Sequence, residues 1–298
     1  LSCAFFSVSE KKLTIKTTDL EQTIVSKTNI TNEEDGSVCV LMSKLTEIVS
    51  ALNNEEIKIT VNEDFLVEIN SNQGTYKITG RSTEEFPEST ETKAKQSLNI
   101  KSKDFLRIIN KTSFATSKDD LKPALSGVYL NISSSETTAV ATDGHRLVKY
   151  VQKRKSNQNQ SLVIPEKFLK IIKNTITEEE MLVVDIDENS LSTQQGIFTI
   201  TTRIIKETFP DFNSVIPDNN TIQATLDSDK LIACLKRVSI FSNRTTKQTV
   251  LSFSDQSVVV SAQDPETSTS GKEHAECEYE GDALTVSYNA KYLIEVLQ

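Results

Sequence analysis

The chain has 298 residues, 37% of them hydrophobic and 25% charged, and 33 basic against 42 acidic residues give a net charge of −9. This composition is typical of a soluble protein with a hydrophobic core, and it excludes collagen-like, coiled-coil and wholly disordered chains. No apolar run approaches the ~20 residues of a membrane-spanning helix, so we predict no membrane partner.

The termini and the cysteines predict a cytoplasmic protein. Residues 1–8 lack the positive region and the cleavage site of a signal peptide. The cysteines are scattered without CxxC spacing and there are only two histidines, so we expect no disulfide framework, no metal site and no cofactor. Because the chain lacks an initiator Met, we also expect it to be a fragment. The cysteines are Cys3, Cys39, Cys234 and Cys277.

Five amphipathic helices are predicted along the chain, each directly after a short strand. Ser or Asn is the expected N-cap of four helices, and Pro is expected at the first position of the other. The intervals between these starts are 59, 63, 63 and 61 residues. A constant period of this kind indicates tandem structural units. The predicted starts are Ser43, Ser102, Pro165, Ser228 and Asn289.

A longer period predicts the domains. The pair Phe86-Pro87 recurs 123 residues later as Phe209-Pro210. Three aspartates recur with nearly the same spacing, at Asp19, Asp143 and Asp264. We therefore predict domains of about 122 residues, each made of two similar halves. The predicted domains are 1–95, 96–219 and 220–298.

The fold class follows from the segments between the helices. Residues 56–70 and 181–205 alternate apolar and polar side chains, as half-buried antiparallel strands do. We predict an α+β protein of three tandem domains, each with two helix-plus-antiparallel-sheet half-repeats. On this period the first domain lacks its opening helix and the last domain lacks its end.

Three of the helices are predicted to expose basic faces. Each carries three basic residues and one acidic residue, although the whole chain is acidic. If these helices share one side, a phosphate backbone is the natural partner, bound without sequence preference. The alternative is that each face is simply solvated, and the first helix, with Lys44 and Glu47, does not follow the pattern. The basic residues are Lys103, Arg107, Lys111, Lys167, Lys170, Lys173, Lys230, Lys236 and Arg237.

The segment Thr142-Asp143-Gly144-His145-Arg146 is the most distinctive motif. Asp-Gly after an apolar strand predicts a tight turn. A catalytic interpretation would make Asp143 and His145 an acid/base or metal pair. Because no nucleophile motif accompanies them, and because the repeat equivalents of Asp143 lack the histidine, we predict no catalytic residues.

The sequence ATDGHRL, preceded by LSGVYL and followed by FPDFNSVIP, resembles the beta sliding clamp of bacterial DNA polymerase III. The resemblance covers the whole chain. It implies a head-to-tail homodimeric ring of six domains that encircles double-stranded DNA, with helices around the hole and sheets outside. The implied partners are the DNA polymerase catalytic subunit, the clamp loader and other clamp-binding repair proteins, and no chemistry is implied.

The resemblance also implies three sets of site residues. A partner-peptide pocket between the second and third domains would involve Leu125, Thr142, Gly144, His145, Arg146, Leu147, Pro210 and Val215. A loop that contacts DNA would contribute Lys122. The ring-closing contact would join Tyr76 and Ile78, as exposed residues of an edge strand, to Ile240 and Phe241.

Three alternatives stay open at this point. A hydrolase would use Asp143 and His145 but lacks a nucleophile. A repeat scaffold that does not bind DNA, such as a surface adhesin, would be favoured by a secretion signal and paired cysteines. The archaeal and eukaryotic type of clamp has two domains per subunit, which the third repeat disfavours.

Overall fold

The structure is a computed structural model. It describes residues 2–31, 34–88, 92–153, 159–176 and 181–298. Within these ranges the chain forms five α-helices and 21 β-strands. The helices are α1 (Met42–Ala51), α2 (Ser102–Thr112), α3 (Glu166–Thr175), α4 (Ser228–Val238) and α5 (Ala290–Leu297). They begin 60 to 64 residues apart, so the predicted helices and their period are confirmed.

Two helices have a side-chain N-cap. Asn289 caps α5 as predicted, because its side chain accepts a hydrogen bond from the Lys291 N–H at 2.9 Å. The prediction for α4 was wrong by one residue. Asp227 is the cap of α4 and accepts from the Lys230 N–H at 2.9 Å, while Ser228 is the first helical residue.

The other three helices begin without a side-chain cap. Ser43 and Ser102 lie inside the first turns of α1 and α2, and Pro165 is the N-cap of α3 and not its first residue. These predictions were wrong because each helix follows directly from a strand. The last strand residue keeps an extended backbone and so occupies the N-cap position itself.

Fifteen strands lie in the first of two compact units, Leu1–Pro210. They are β1 (Cys3–Ser9), β2 (Lys12–Thr18), β3 (Gln22–Asn29), β4 (Gly36–Leu41), β5 (Lys58–Val61), β6 (Leu66–Asn70), β7 (Thr75–Thr79), β8 (Gln96–Lys101), β9 (Gly127–Ile132), β10 (Glu136–Thr142), β11 (Leu147–Lys153), β12 (Gln160–Pro165), β13 (Met181–Ile186), β14 (Ser190–Gln195) and β15 (Phe198–Arg203). All of their pairings are antiparallel. The sheet orders are β4-β1-β2-β3-β15-β14-β13-β8, β11-β10-β9-β12 and β5-β6-β7.

Half-repeats exchange their first strands. Strand β8 precedes α2 but pairs with β13, which follows α3. Strand β12 precedes α3 but pairs with β9, which follows α2. Each helix therefore carries the chain from one sheet to the other. This exchange explains why two similar halves fold as one domain.

The main core lies between the two helices and the two sheets that exchange strands. Phe105 of α2 and Phe168 of α3 belong to one buried cluster with Leu130 of β9 and Leu182 of β13. Each is at most 2% exposed, and burying such a side chain contributes about 1.5–3 kcal/mol. The apolar faces predicted for α2 and α3 are therefore confirmed as the core faces.

A single sheet joins the first 90 residues to the central segment. Strands β3 and β15 pair over five positions, from Phe198↔Ser26 to Thr202↔Gln22. This pairing makes eight strands continuous across the predicted boundary at residues 95 and 96. A smaller cluster centred on Val67, Ile69 and Ile78 packs beneath α1.

The second compact unit, Asp211–Gln298, repeats the pattern. Strand β21 precedes α5 and pairs with β17, as β12 pairs with β9. Leu235 of α4, Val258 and Val260 are fully buried in its core. Its strands are β16 (Ala224–Thr225), β17 (Gln248–Ser254), β18 (Ser257–Asp264), β19 (Thr269–Glu276), β20 (Glu278–Tyr279) and β21 (Leu284–Asn289), in the sheets β19-β18-β17-β21 and β16-β20.

We predict that Gly127→Ala destabilises the first unit by about 1–3 kcal/mol. Gly127 lies opposite Pro165 in the exchanged β9–β12 pair. A Cβ there would be 2.9 Å from the carbonyl carbon of Ile164 and from Cδ1 of Ile205. Urea unfolding followed by circular dichroism measures the loss.

Gly36→Ala is the matched control for this substitution. Gly36 begins β4, and a Cβ there meets no heavy atom within 4 Å. The same change should therefore be neutral or stabilise by about 0.4–1 kcal/mol, because it removes freedom from the unfolded chain. Equal losses for the two variants would contradict the importance of the close β9–β12 approach.

Candidate functional site

The turn between β10 and β11 is built by its own side chains. The Thr142 hydroxyl donates to the Arg146 carbonyl at 2.6 Å and accepts from the Gly144 N–H at 3.1 Å. Asp143 Oδ1 accepts from the N–H groups of His145 and Arg146 at 2.9 and 3.0 Å. Gly144 has φ +90°, a backbone conformation that glycine adopts without strain. The predicted tight turn is confirmed.

The Arg146 side chain closes the turn against the protein. Its Nε donates to Asp143 Oδ2 at 3.1 Å, and its NH2 group donates to the Phe114 carbonyl at 2.6 Å. The guanidinium also lies 5.4 Å from the centre of the Phe114 ring. The side chains of Arg146 and Asp143 are only 14% and 13% exposed. Their charges therefore stabilise the turn, while His145 extends from it and is exposed.

The other predicted pocket residues lie on several different elements and differ in exposure. Leu147 begins β11 and Leu125 ends a 3₁₀ turn, and both are half-buried. Pro210 is exposed and follows Phe209, whose ring stacks on Tyr129 with centroids 5.2 Å apart. Val215 belongs to the second unit, where it is 67% exposed in a 3₁₀ turn.

Lys122 lies beside the same turn. Its Nζ is 3.9 Å from the position that a Cβ of Gly144 would take. Its Nζ is also 3.9 Å from Asp119 Oδ2. The structure thus brings this basic residue to the rim of the Thr142–Arg146 turn.

The first domain contains the same turn with different side chains. The Thr18 hydroxyl donates to the Gln22 carbonyl at 2.8 Å and accepts from the Leu20 N–H at 3.0 Å. Asp19 Oδ1 accepts from the N–H groups of Glu21 and Gln22 at 3.0 and 2.7 Å. Leu20 takes the place of Gly144 and also has positive φ. The sequence alignment of Asp19 with Asp143 is therefore reproduced bond by bond.

The predicted basic faces are exposed, but four of their nine charges are already paired. Lys167 Nζ is 3.1 Å from Glu21, Lys170 Nζ is 2.8 Å from Glu166, and Lys230 Nζ is 3.7 Å from Glu276. Arg237 and Lys122 also have carboxylate partners. Of the predicted helix positions, Lys103, Arg107, Lys111, Lys173 and Lys236 have no ion pair with any described residue.

Lys118 and Glu166 form an ion pair beside the predicted basic face of α3 that the sequence did not predict. The Glu166 side chain is 11% exposed and lies 2.9 Å from Lys118 Nζ as well as 2.8 Å from Lys170 Nζ. Burial by itself would raise the pKa of Glu166, but the hydrogen bonds from the two lysines outweigh burial and lower it. Glu166 stays ionised and ties the loop that carries Lys118 to α3. The pKa of Lys167 is raised by its bond to Glu21.

The four residues predicted to close a ring differ in exposure. Strand β7 lies at the edge of its three-stranded sheet, and Tyr76 on it is half-buried. The expectation that Ile78 is exposed was wrong. Ile78 is 7% exposed because it faces the core beneath α1. In the second unit, Ile240 is 76% exposed and Phe241 is 37% exposed.

Neither a metal cluster nor a membrane helix emerges from the part of the chain that the structure describes. Among those residues, no three His, Cys, Asp or Glu side chains come together as metal ligands would. None of the described helices has the length and apolarity needed to cross a bilayer.

Comparison with known proteins identifies the family. The DNA polymerase III beta subunit family matches the chain with its N-terminal domain over residues 1–90, its central domain over 99–211 and its C-terminal domain over 213–298. The three-domain fold is that of a sliding clamp. The chain belongs to the DNA polymerase III beta subunit family.

Individual relatives agree with this assignment. The chain is similar to the beta sliding clamp of Staphylococcus aureus, with 25% identity over 97% of this chain and 78% of the relative. It is 26% identical to the beta sliding clamp of Pseudomonas putida over 100% of this chain and 82% of the relative.

Solved structures share the fold. A sliding clamp from Pseudomonas aeruginosa bound to griselimycin has a TM-score of 0.87 and 25% identity, and covers 100% of this chain and 81% of its own. The beta subunit from Thermotoga maritima, at 22% identity, has a TM-score of 0.89 over 99% of this chain and 81% of its own, which supports the fold alone.

We predict that Asp143→Ala destabilises the first unit by about 2–4 kcal/mol, because three hydrogen bonds are lost and a mostly buried arginine loses its carboxylate. Asp19→Ala is the matched control, since it removes only the two backbone hydrogen bonds of the equivalent turn and an exposed ion pair. It should cost about 1 kcal/mol. Urea unfolding of both variants measures the difference, and equal losses would contradict the role given to Arg146.

Proposed function

We propose that the protein is the processivity factor of a replicative DNA polymerase, a clamp that encircles duplex DNA and has no catalytic activity of its own. The observation that carries this proposal is the match of all three domains of the DNA polymerase III beta subunit family, in order, over residues 1–90, 99–211 and 213–298. Its place of action would be the cytoplasm. We propose the domain limits 1–95, 96–219 and 220–298.

The proposed assembly is a head-to-tail homodimeric ring. Its contact would join the β7 edge, with Tyr76, to Ile240 and Phe241 of a second copy. An edge strand beside exposed apolar side chains is an aggregation risk unless a partner covers it. The exposure of Ile240 supports this assignment. Ile78 would not contact the second copy and would instead hold β7 in place by packing into the core beneath α1.

The proposed DNA surface is the basic side of the helices. On α2, Lys103, Arg107 and Lys111 recur every four residues, so they lie along one face. They have no carboxylate partner among the described residues, which leaves them available for phosphates. A few screened contacts of this kind allow sliding, because each phosphate contact exchanges readily with counterions. The acidic remainder of the chain would discourage DNA from binding elsewhere.

The proposed pocket would tether partner proteins through extended peptides. Such peptides need apolar walls with a few polar groups that fix their orientation. Leu125, Leu147, Pro210 and Val215 would form the walls. The Thr142–Arg146 turn would form the rim, and its internal hydrogen bonds support a preformed site. The partners would be the polymerase catalytic subunit, the clamp loader and other clamp-binding repair proteins.

Retention on circular and linear DNA tests the proposed function. The full chain is loaded by its clamp loader on a nicked circular plasmid, and bound protein is measured before and after the plasmid is cut. A ring held by topology should be lost on linearisation. Equal retention on both forms would overturn encirclement, because contact binding does not depend on free DNA ends.

We predict that α2 contributes more to DNA binding than α3. In Lys103→Gln/Lys111→Gln, two unpaired cations are removed, so the slope of log affinity against log salt should fall by about 1.8. In Lys167→Gln/Lys170→Gln, the lysines are already partly neutralised by Glu21 and Glu166. This matched pair should lower the slope by less than about 1. Duplex binding across a salt series measures both slopes, and equal falls would contradict the prediction.

A further inference from the structure

The end of α4 rests on strand β19 through an unusually close approach. A 3₁₀ turn, Ser239–Phe241, follows α4, and the Phe241 ring lies over the backbone of Gly271. A Cβ at Gly271 would be 3.1 Å from both Cγ and Cε2 of the ring and closer still to Cδ2. These separations are well inside van der Waals contact. Of all residues, only glycine leaves room for the ring at this depth.

An ion pair holds the same segment on the same face of β19. Arg237 donates from Nε to Glu273 Oε1 at 2.6 Å and from its NH2 group to Oε2 at 2.7 Å. Glu273 is two residues from Gly271, so both side-chain positions lie on one face of the strand. The bidentate hydrogen bonds from Arg237 lower the pKa of Glu273 to about 2. The Arg237 guanidinium is thus engaged at the end of α4, although the sequence analysis assigned it to DNA.

The Phe241–Gly271 and Arg237–Glu273 contacts determine which side chains of the Ser239–Phe241 turn are exposed to solvent. Phe241 is partly covered by the strand and is 37% exposed, whereas the preceding Ile240 is 76% exposed. Strand β19 is at the edge of its sheet, with β18 on one side. The Phe241 ring and Ile240 therefore stand beside a strand edge, where a second copy of the chain would bring the proposed β7 edge.

We propose that Gly271 is a positioning residue for self-association. Because Gly271 has no side chain, the Phe241 ring can lie close to the β19 backbone. This contact sets how far the ring projects from β19 and in which direction Ile240 points. Both determine the shape of the surface that would contact the second copy. Gly271 acts through Phe241 and need not touch the partner. This inference rests on the proposed homodimeric ring.

A double-mutant cycle tests the inference on the full chain. The wild type, Gly271→Ala, Phe241→Leu and the double variant are compared by sedimentation equilibrium, which measures the dimer dissociation constant. Gly271→Ala should raise that constant at least 10-fold, because the new methyl group displaces the ring. In the Phe241→Leu background, where the ring is absent, the same alanine should change it less than 2-fold.

Ser270→Ala is the matched control, since it alters the exposed opposite face of the same strand and should leave dimerisation unchanged. Thermal unfolding followed by circular dichroism reports whether each variant is folded. Gly271→Ala by itself could fail to fold. In that case, a double variant with Phe241→Leu that folds and dimerises also supports the Gly271–Phe241 contact. A double variant that also fails to fold overturns it.

Two results separate the inference from the proposed function. A wild type that dimerises, with an equal effect of Gly271→Ala in both backgrounds or no effect in either, overturns the role of Gly271 and leaves the ring intact. A wild type that stays monomeric up to high concentration overturns the proposed ring, and the positioning role falls with it.

Discussion

Strand exchange between half-repeats is the constraint on which the rest of the structure depends. Strand β8 hydrogen-bonds to the sheet of the second half, and β12 hydrogen-bonds to the sheet of the first. Because each helix follows its strand without a loop, α2 and α3 must pass between the sheets and bury their apolar faces in one core. Their polar faces are then left to solvent, and those faces carry the lysines. The placement of charge is thus a consequence of backbone pairing.

Ion pairing then divides that basic surface into two kinds of cation. On α2 the three basic side chains have no carboxylate partner among the described residues, whereas Lys167 and Lys170 on α3 do. A paired lysine must give up its carboxylate before it can contact a phosphate, so it contributes less to DNA affinity. Glu166 shows a further use of such pairs, because it ties the Lys118 loop to α3. The same end of α3 therefore combines structural ion pairs with the proposed contacts to DNA.

The same aspartate turn occurs at Asp19 and at Asp143 but has a different structural role in each domain. In the first domain, Asp19 and Glu21 extend to Lys167 and connect the turn to the next domain. In the second domain, Asp143 instead holds Arg146 against Phe114, which leaves His145 and Gly144 at the surface. The four hydrogen bonds between the Thr and Asp side chains and the backbone are the same in the two turns. Only the side chains beyond the turn decide whether it joins domains or forms the rim of the proposed pocket.

The sequence by itself determined the five helices, their period, the alternating strands and the exposed basic faces, because periodicity of 3.6 or 2 residues is a local property. The tertiary structure alone decided which lysines are neutralised, as when Lys167 meets Glu21 from 146 positions away. It also decided that Ile78 is buried and that Phe241 needs Gly271 beneath it. The start of α1 shifted from Ser43 for the same reason, since β4 runs directly into that helix, whereas the start of α4 is set by the Asp227 side-chain cap. Strand pairing and side-chain packing depend on which elements become neighbours in space, and the local sequence pattern does not specify those neighbours.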